Sequence, residues 1–345
     1  MSRALDKATA ALLKKGDPQA AFQAISEALI PPYDSLLEIE ILGGGPPFGE
    51  GQYLLQDGRA VGISKLGLVQ AFMLAREQLS SHLNKTNPRT PDELFLATSV
   101  ILLFDPEYLT AANTRKRLIQ AELSSSSPSP SHARTRLTKE LRFIDSLLTS
   151  RLHRHTKSPV LWSHRRWLVD FSASSLEIPV DVISTLKDVV FVAGERHPRN
   201  YYAWCHARFL TTRALQQQQP QSRFSLPEAR AAVRTWCFQH HTDISGWSFL
   251  AFLLGFEDDV TSVAKSSSAT FMEVLDLVSS LRLANESVWV FLRTLAASGA
   301  VSDEEYARFL AVQGAVLEGS TVPADQAVLR AAVDWSGKYR RPVEA

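Results

Sequence analysis

Apolar residues recur at intervals of three and four over most of the chain, the spacing that places them on one face of an α-helix. From residue 90 to about residue 295, turns divide these segments into pairs. The predicted first helices are 91–104, 136–154, 179–195, the helix opened by Ser225-Leu226-Pro227-Glu228, and 269–282; the predicted second helices are 109–123 and those that carry Trp162, Trp204, Trp247 and Trp289. Two further helices, opened by Ser302-Asp303-Glu304-Glu305 and by Pro323, are expected to cap the array.

The tryptophans of the second helices define a repeat. Trp162 and Trp204 are 42 positions apart, Trp204 and Trp247 are 43 apart, and Trp247 and Trp289 are 42 apart. Such a period fits two helices and two turns. Because one hairpin cannot cover its own apolar face, neighbouring hairpins must stack. The pattern predicts an all-α fold, an α-α superhelix in which a solenoid of helical hairpins forms a TPR-like crescent with a concave surface.

The N-terminal part follows a different pattern. Short helices are expected on either side of Gly16-Asp17-Pro18, and a longer helix is expected to begin at Ser64. The prolines and glycines of residues 31–62 exclude a long helix there and predict loops with a β-hairpin. Two low-complexity stretches, 124–131 and 216–221, are expected to be flexible insertions. The predicted domains are a loop-rich N-terminal segment at 1–89, the repeats at 90–295, and capping helices at 296–345.

Composition excludes several classes of function. The 37 basic and 36 acidic residues nearly cancel, so no overall charge directs the chain toward nucleic acid. No apolar run approaches the roughly 18 residues that a membrane span needs. Cys205 and Cys237 lie in apolar helical patterns without metal-binding spacing, and no nucleophile triad or HExxH motif is present. We therefore expect a cytoplasmic protein with no membrane span, no nucleic-acid partner, no metal site and no catalytic residue of its own.

The second helices share a motif as well as a period, seen most fully in Asn200-Tyr201-Tyr202-Ala203-Trp204. This motif resembles the protein prenyltransferase α-subunit repeat, Asn-Tyr-x-x-Trp-x-x-Arg, and the resemblance covers about residues 90–295. The residues that carry it are Arg115, Trp162, His164, Arg165, Asn200, Trp204, His206, Trp247, Asn285 and Trp289. Ala112 replaces the first tryptophan, and Ala207 and Leu250 replace two arginines. These departures indicate a divergent branch, similar to the α-subunit repeat-containing proteins.

The resemblance implies an α-type subunit of a heterodimeric protein prenyltransferase. Its β subunit would transfer a farnesyl or geranylgeranyl group from the isoprenyl diphosphate to a cysteine of a protein substrate. The resemblance places the zinc and the isoprenyl diphosphate on the β partner and no cofactor on this chain. Arg199 matches a family lysine and Tyr201 a family aromatic residue, so both are candidates for contacting the diphosphate. The alternative is a non-enzymatic α-solenoid scaffold for protein interactions derived from the same family, and Ala207 and Leu250 motivate it.

Each candidate residue also has a structural interpretation. A large aromatic residue at every hairpin junction is what solenoid packing requires, so we expect the tryptophans in the core. For the signature arginines, His164 and His206, hydrogen bonds between helices are the first expectation, and contact with a partner or diphosphate is the alternative. Arg199 differs because it lies at a turn beside a helix N-terminus, which favours anions.

Overall fold

The fold is taken from a computed structural model, which describes residues 16–32, 35–43, 48–49, 51–124, 130–176, 181–216, 224–256 and 260–341. Most of this part of the chain is helical, as predicted, and a small sheet lies near the N-terminus. The chain divides into two compact units, Met1–Val180 with Asp188–His206, and Asp181–Lys187 with Ala207–Ala345. Among the described helices, none is both long and apolar enough to cross a membrane.

The helices follow the predicted pairs. The N-terminal helices are α1 (Pro18–Ala28) and α2 (Lys65–Leu83). The paired helices are α3 (Pro91–Phe104), α4 (Leu109–Ser124), α5 (Pro130–Leu148), α6 (His153–Thr156), α7 (Pro159–Leu176), α8 (Val182–Thr185), α9 (Phe191–Arg196), α10 (Tyr201–Gln216), α11 (Leu226–Gln239), α12 (Ile244–Leu254), α13 (Val260–Leu281) and α14 (Glu286–Ala297). The last two are α15 (Asp303–Gly319) and α16 (Pro323–Tyr339).

Polar caps fix several of the helix starts that the sequence predicts. Thr90 and Glu93 form a full capping box: the Glu93 amide donates to Thr90 Oγ1 at 3.3 Å, and the Thr90 amide donates to Glu93 Oε2 at 2.8 Å. Ser302 and Glu305 do the same at the start of α15. Because each box satisfies amides that a helix start leaves unpaired, it sets the boundary locally.

Two of the predicted first helices are wrong in detail. The helix predicted for 136–154 ends at Leu148, because Ser150 Oγ donates to the Leu147 carbonyl at 2.8 Å and accepts the Leu152 amide at 3.3 Å. The chain then forms the short α6. The helix predicted for 179–195 contains a π-helical turn, Leu186–Val190, between α8 and α9. A π-turn adds a residue to the helical turn, which a periodic pattern does not reveal.

Other helices extend further than predicted. Helix α5 begins at Pro130 and α13 at Val260, ahead of the predicted starts at 136 and 269. The predicted helix before Gly16 lies outside the described residues, as do most of the two low-complexity stretches.

The N-terminal sheet contains β1 (Glu38–Leu42), β2 (Leu54–Asp57) and β3 (Ala60–Ser64) in the order β1-β3-β2. Strands β2 and β3 form the predicted hairpin, antiparallel, with Leu54 opposite Ile63. The turn of this hairpin includes Gly58, whose φ of 55° lies in the left-handed region that glycine adopts without steric strain. Strand β1, which was not predicted, pairs parallel to β3 with Glu38 opposite Ala60. The amide of Leu37 donates to Ser146 Oγ of α5 at 2.9 Å, so a distant helix helps to hold this strand.

Within each unit the helices stack as hairpin repeats do. In the first unit, α2 packs against α1 and α3, and both α4 and α5 pack against α7. In the second unit, α12 packs against α14, so the second helices of consecutive hairpins contact each other. Helix α14 also packs against α16. The first helix α13 packs on α15. Each unit thus buries its apolar faces by the repetition that the sequence predicts.

Candidate functional site

The tryptophans close the turns between helices from inside the core. Trp162, Trp204, Trp247 and Trp289 are all buried. Three of their indole Nε1 atoms donate to a carbonyl six residues earlier in the chain: Trp162 to Thr156 at 2.8 Å, Trp247 to His241 at 2.9 Å, and Trp289 to Leu283 at 2.8 Å. A buried indole N–H needs an acceptor, and the turn supplies one.

Two of these carbonyls, those of Thr156 and His241, receive a second donor from the next hairpin. Asn200 Nδ2 donates to the Thr156 carbonyl at 2.7 Å, and Asn285 Nδ2 donates to the His241 carbonyl at 2.7 Å. A carbonyl oxygen has two lone pairs, so both bonds fit. Asn200 Oδ1 also accepts the Ala203 amide at 3.3 Å and so caps the start of α10. The signature asparagine and tryptophan therefore meet at one backbone oxygen.

Arg115 is the centre of a first buried polar network. Its Nε and Nη2 atoms donate to the two carboxylate oxygens of Glu140, at 2.8 and 2.6 Å. Its Nη1 atom donates to the Phe95 carbonyl and to the hydroxyls of Thr98 and Ser99. Nε2 of the fully buried His164 lies 2.8 Å from the same carboxylate. This network joins three helices, α3, α5 and α7, to α4.

Arg165 is the centre of a second network of the same kind. Its Nε donates to Asp145 Oδ1 at 2.6 Å and its Nη2 to Oδ2 at 3.2 Å. Its Nη1 lies 2.7 Å from Nε2 of His206. Because a guanidinium can only donate, His206 accepts through an unprotonated Nε2. The ring of His206 also lies against Trp162, with the ring centroids 5.3 Å apart.

The pKa shifts agree with these internal roles. Burial raises the pKa of Glu140, but the Arg115 charge and the hydrogen bonds from His164 and Arg115 outweigh it and hold the pKa at about 2. Burial raises the pKa of Asp145, and Arg165 offsets part of that rise. Burial lowers the pKa of both His164 and His206, so both imidazoles are neutral near pH 7.

Sequence reasoning missed three buried residues of these networks and turns: Glu140, Asp145 and His155. Nε2 of His155 lies 2.8 Å from the Leu103 carbonyl at the end of α3, and burial lowers its pKa to about 4. Glu140 follows the apolar Leu137 by three positions, which places it on the buried face of α5. Because Glu140 lies on an otherwise apolar helix face, the sequence could have indicated that it is buried and paired with an arginine.

The departures from the repeat motif fall in the core. Ala207 and Leu250, which stand where the motif has arginine, are buried. In the second unit, Arg208 donates through Nη2 to the carbonyl and the hydroxyl of Ser248, both at 2.8 Å. Because Arg115 and Arg165 bind buried groups of neighbouring helices, losing the matching arginine removes an internal contact and leaves the surface unchanged.

Arg199 and Tyr201 lie on the surface, at the turn that leads into α10. Arg199 is exposed and its φ is 60°, a left-handed conformation that is uncommon outside glycine. Tyr201 is 68% exposed, and its ring contacts that of Tyr202 with centroids 5.6 Å apart. Between them, Asn200 is buried and anchored to Thr156. The anchor fixes the turn and leaves the two candidate side chains outside.

Three further basic residues adjoin this turn. Nδ1 of His197 lies 3.5 Å from Nδ1 of His153. Desolvation, the charge of Lys157 and then that of His153 lower the pKa of His197. We call His153, Lys157, His197, Arg199 and Tyr201 the basic turn surface. Positive charge beside a helix N-terminus suits phosphate oxygens.

The described residues offer little else for chemistry. They contain no cluster of three or more His, Cys, Asp or Glu side chains that could hold a metal ion. Cys237 is buried, and burial together with Asp243 raises the pKa of its thiol. A thiol that stays protonated is a poor nucleophile.

Comparisons with known proteins agree with the motif. The ECM9 middle domain family matches residues 161–281. The chain is 29% identical over 179 residues to the human protein prenyltransferase alpha subunit repeat-containing protein 1, covering 47% of this chain and 40% of that protein. It is 27% identical over 207 residues to protein ECM9 of Saccharomyces cerevisiae, covering 57% of this chain and 50% of that protein. It is 26% identical over 131 residues to the geranylgeranyl transferase type-2 subunit alpha of Candida albicans, covering 36% of this chain and 32% of that protein.

These similarities confirm the resemblance to the prenyltransferase α-subunit repeat proteins, in its divergent, repeat-containing form. The chain covers only 36% to 40% of the repeat-containing relatives' own length.

Replacing Arg115 with Met should destabilise the protein by about 3–5 kcal/mol, because Glu140 would stay buried without its cation. The double variant Arg115→Met, Glu140→Leu removes both charges and should recover much of that loss. Urea denaturation of the wild type and of the single and double variants measures the difference. If the double variant is no more stable than Arg115→Met, the unpaired carboxylate is not the cause.

Stability should fall as the pH drops from about 7.5 to about 5. His155 has a pKa of about 4 in the fold against 6.5 ordinarily, so its contribution is complete above 6.5 and is lost as the pH falls toward 4. For this residue the loss is about 2 kcal/mol at pH 5 and on the order of 3 kcal/mol at pH 4. Urea midpoints across this range check it.

The variant His155→Gln keeps an N–H donor for the Leu103 carbonyl but does not titrate. Its stability should change less with pH than that of the wild type. Equal pH dependence in the two proteins would contradict the assignment to His155.

Proposed function

We propose that this chain is an α-type subunit of a heterodimeric protein prenyltransferase in the cytoplasm. The chain holds a β subunit, and that subunit transfers an isoprenyl group from its diphosphate to a cysteine thiolate of a protein substrate. The similarity to a protein named geranylgeranyl transferase type-2 subunit alpha makes geranylgeranyl the first group to test, and farnesyl the second.

The observation that carries this proposal is the conformation and exposure of Arg199. A non-glycine residue in the left-handed region costs on the order of 1–3 kcal/mol and is often found at functional sites. Arg199 adopts this conformation with φ at 60° and projects from an exposed turn. Glycine would relieve the strain but would remove the guanidinium. Lys85 and Arg282 share this conformation, so the support for Arg199 comes from the conformation together with its place beside Asn200 of the repeat motif.

The basic turn surface fits the leaving group of prenyl transfer. As the bond from the isoprenyl carbon to the diphosphate breaks, negative charge grows on the diphosphate oxygens. A guanidinium binds such oxygens in a forked geometry and stays charged at all relevant pH values. Fixed donors aimed at developing charge lower the barrier to the reaction. We assign this electrostatic role to Arg199, with Tyr201 beside it as a positioning aromatic residue.

The rest of the proposed chemistry belongs to the β subunit. Zinc would activate the acceptor thiol there, and the isoprenyl chain would lie in that subunit's pocket. This chain contributes stacked hairpins. In the first unit they are held together by the Arg115 and Arg165 networks and by the shared Thr156 carbonyl.

The second candidate function is a non-enzymatic scaffold that binds proteins. Ala207 and Leu250 motivated it, because they replace arginines of the family motif. Both residues are buried, however, and the matching Arg165 binds Asp145 and His206 in the core. The two replacements therefore remove hydrogen bonds inside the core and do not affect the basic turn surface.

Co-purification separates the two functions. The tagged full chain, isolated from its native cells, should recover a prenyltransferase β subunit. The purified complex should then transfer a labelled geranylgeranyl or farnesyl group to cysteine-containing proteins from the same cells. Recovery of no β subunit, together with no transfer when candidate β subunits are added, would rule out the enzyme and favour the scaffold.

Within the complex, Arg199→Gly should lower the rate of prenyl transfer about tenfold or more, since the diphosphate loses a charged partner. The same variant should be as stable as the wild type, or more stable, because glycine relieves the left-handed backbone. Steady-state kinetics with isoprenyl diphosphate and thermal unfolding measure the two effects.

Arg282→Gly is the matched control, because Arg282 is also an exposed arginine with a positive φ, at 51°. It should gain in stability in the same way and leave transfer unchanged. Equal kinetics for Arg199→Gly and wild type, with the complex intact, would refute the role of Arg199.

A further inference from the structure

A cleft beside the N-terminal sheet forms a second candidate site, away from the basic turn surface. Its volume is about 230 Å³, and it lies between strands β1 and β3, the turn at Thr149–Arg151 and the side chain of Arg196. All of these residues lie in the first compact unit. The proposed prenyltransferase function makes no use of this cleft.

Arg196 has no partner for its charge. Its Nε is shielded from solvent and makes no hydrogen bond, and across the described ranges the side chain has no ion pair either. A shielded donor without an acceptor is destabilising, so most such donors in proteins are satisfied. Arg196 therefore lines the cleft with its charge unpaired, and because Nε is shielded, a ligand in the cleft would meet the two terminal Nη atoms.

The acidic residues of the cleft are already paired. Glu40 binds Arg151, with Oε1 and Nε 3.1 Å apart, and Glu38 binds Arg59, with Oε1 and Nη2 2.7 Å apart. Both carboxylates lie on the strand that borders the cleft, yet neither is bound to Arg196. The unmatched charge of the cleft is thus one positive charge, at Arg196.

The floor of the cleft is open because β3 contributes small residues there. Ala60 and Gly62 line it. A Cβ atom at Gly62 would lie 2.7 Å from Cδ1 of Leu42, too close for an undisturbed contact. Glycine therefore allows β1 and β3 to pack at this point and leaves room above the strands. Leu42 provides an apolar wall for the carbon atoms of a ligand.

We propose that this cleft binds a carboxylate group through the guanidinium of Arg196. The planar fork of a guanidinium matches the two oxygens of a carboxylate, and the single negative charge balances the single unmatched positive charge. A phosphate fits less well, because its second charge would lie near Glu38 and Glu40. The carboxylate belongs either to an acidic side chain of a bound peptide or to a small organic acid.

NMR titration of the full-length protein tests the proposal, with the arginine Nε–H signals as the readout. The probes are N-acetyl-glutamate N-methylamide, butyrate, N-acetyl-glutamine N-methylamide and inorganic phosphate. We expect saturable binding of both carboxylates, and affinity at least about tenfold lower for the glutamine compound and for phosphate. Tighter binding of the glutamate amide than of butyrate identifies a peptide side chain as the source, and the reverse order identifies a small acid.

Variants locate the binding. Arg196→Gln should weaken carboxylate binding at least about tenfold, and Arg196→Lys should weaken it less, because lysine keeps the charge without the fork. Arg154→Gln is the control: Arg154 is an exposed arginine of the same compact unit, and neither it nor its partner Asp105 lines the cleft. Unchanged affinity in Arg196→Gln, tighter binding of phosphate than of carboxylates, or no saturation up to about 50 mM would overturn the proposal.

Discussion

Two turns within hairpins, each joining a first helix to its second helix, are closed around a backbone carbonyl that the next hairpin also binds. The Thr156 oxygen accepts Trp162 of its own hairpin and Asn200 of the next, and the His241 oxygen accepts Trp247 and Asn285 in the same way. Each buried donor has no alternative partner in water, so the geometry of the turn is strongly determined. The relative position of consecutive hairpins in a unit depends on these few hydrogen bonds.

The signature residues divide into those that build the stack and those that face outward. Arg115 and Arg165 donate hydrogen bonds to buried carboxylates on neighbouring helices. Such buried ion pairs contribute little net stability to the fold, but removing one partner leaves a buried, unpaired charge and is strongly destabilising. They therefore favour the one arrangement of the helices in which both partners meet. Arg199 and Tyr201 are held at the surface by the buried Asn200 between them. A rigid interior thus supports an exposed group, as a binding site requires.

Much of this fold follows from local signals in the sequence. The helix pairs, the capping box of Thr90 and the cap at Asn200 depend on residues a few positions apart, which a sequence displays directly. Strand β1 is held by a contact with a distant helix, and the π-turn at Leu186–Val190 adds a residue to the helical turn, which a periodic pattern does not reveal. The same holds for the site. The motif identified the arginines, but their carboxylate partners lie on other helices, and no spacing rule connects Arg115 with Glu140.

The left-handed backbone at Arg199 has a consequence for how this surface can change. Asn200 fixes the turn through bonds to Thr156, Ala193 and Ala203, none of which involves the side chain at position 199. The scaffold therefore specifies where that side chain points but leaves its chemistry open. Replacing that side chain alters charge, size or reach at the surface, while the hydrogen bonds of Asn200 to Thr156, Ala193 and Ala203 stay in place. Evolution and protein engineering can therefore adjust recognition at this position with unbranched side chains, while the left-handed backbone disfavours β-branched ones.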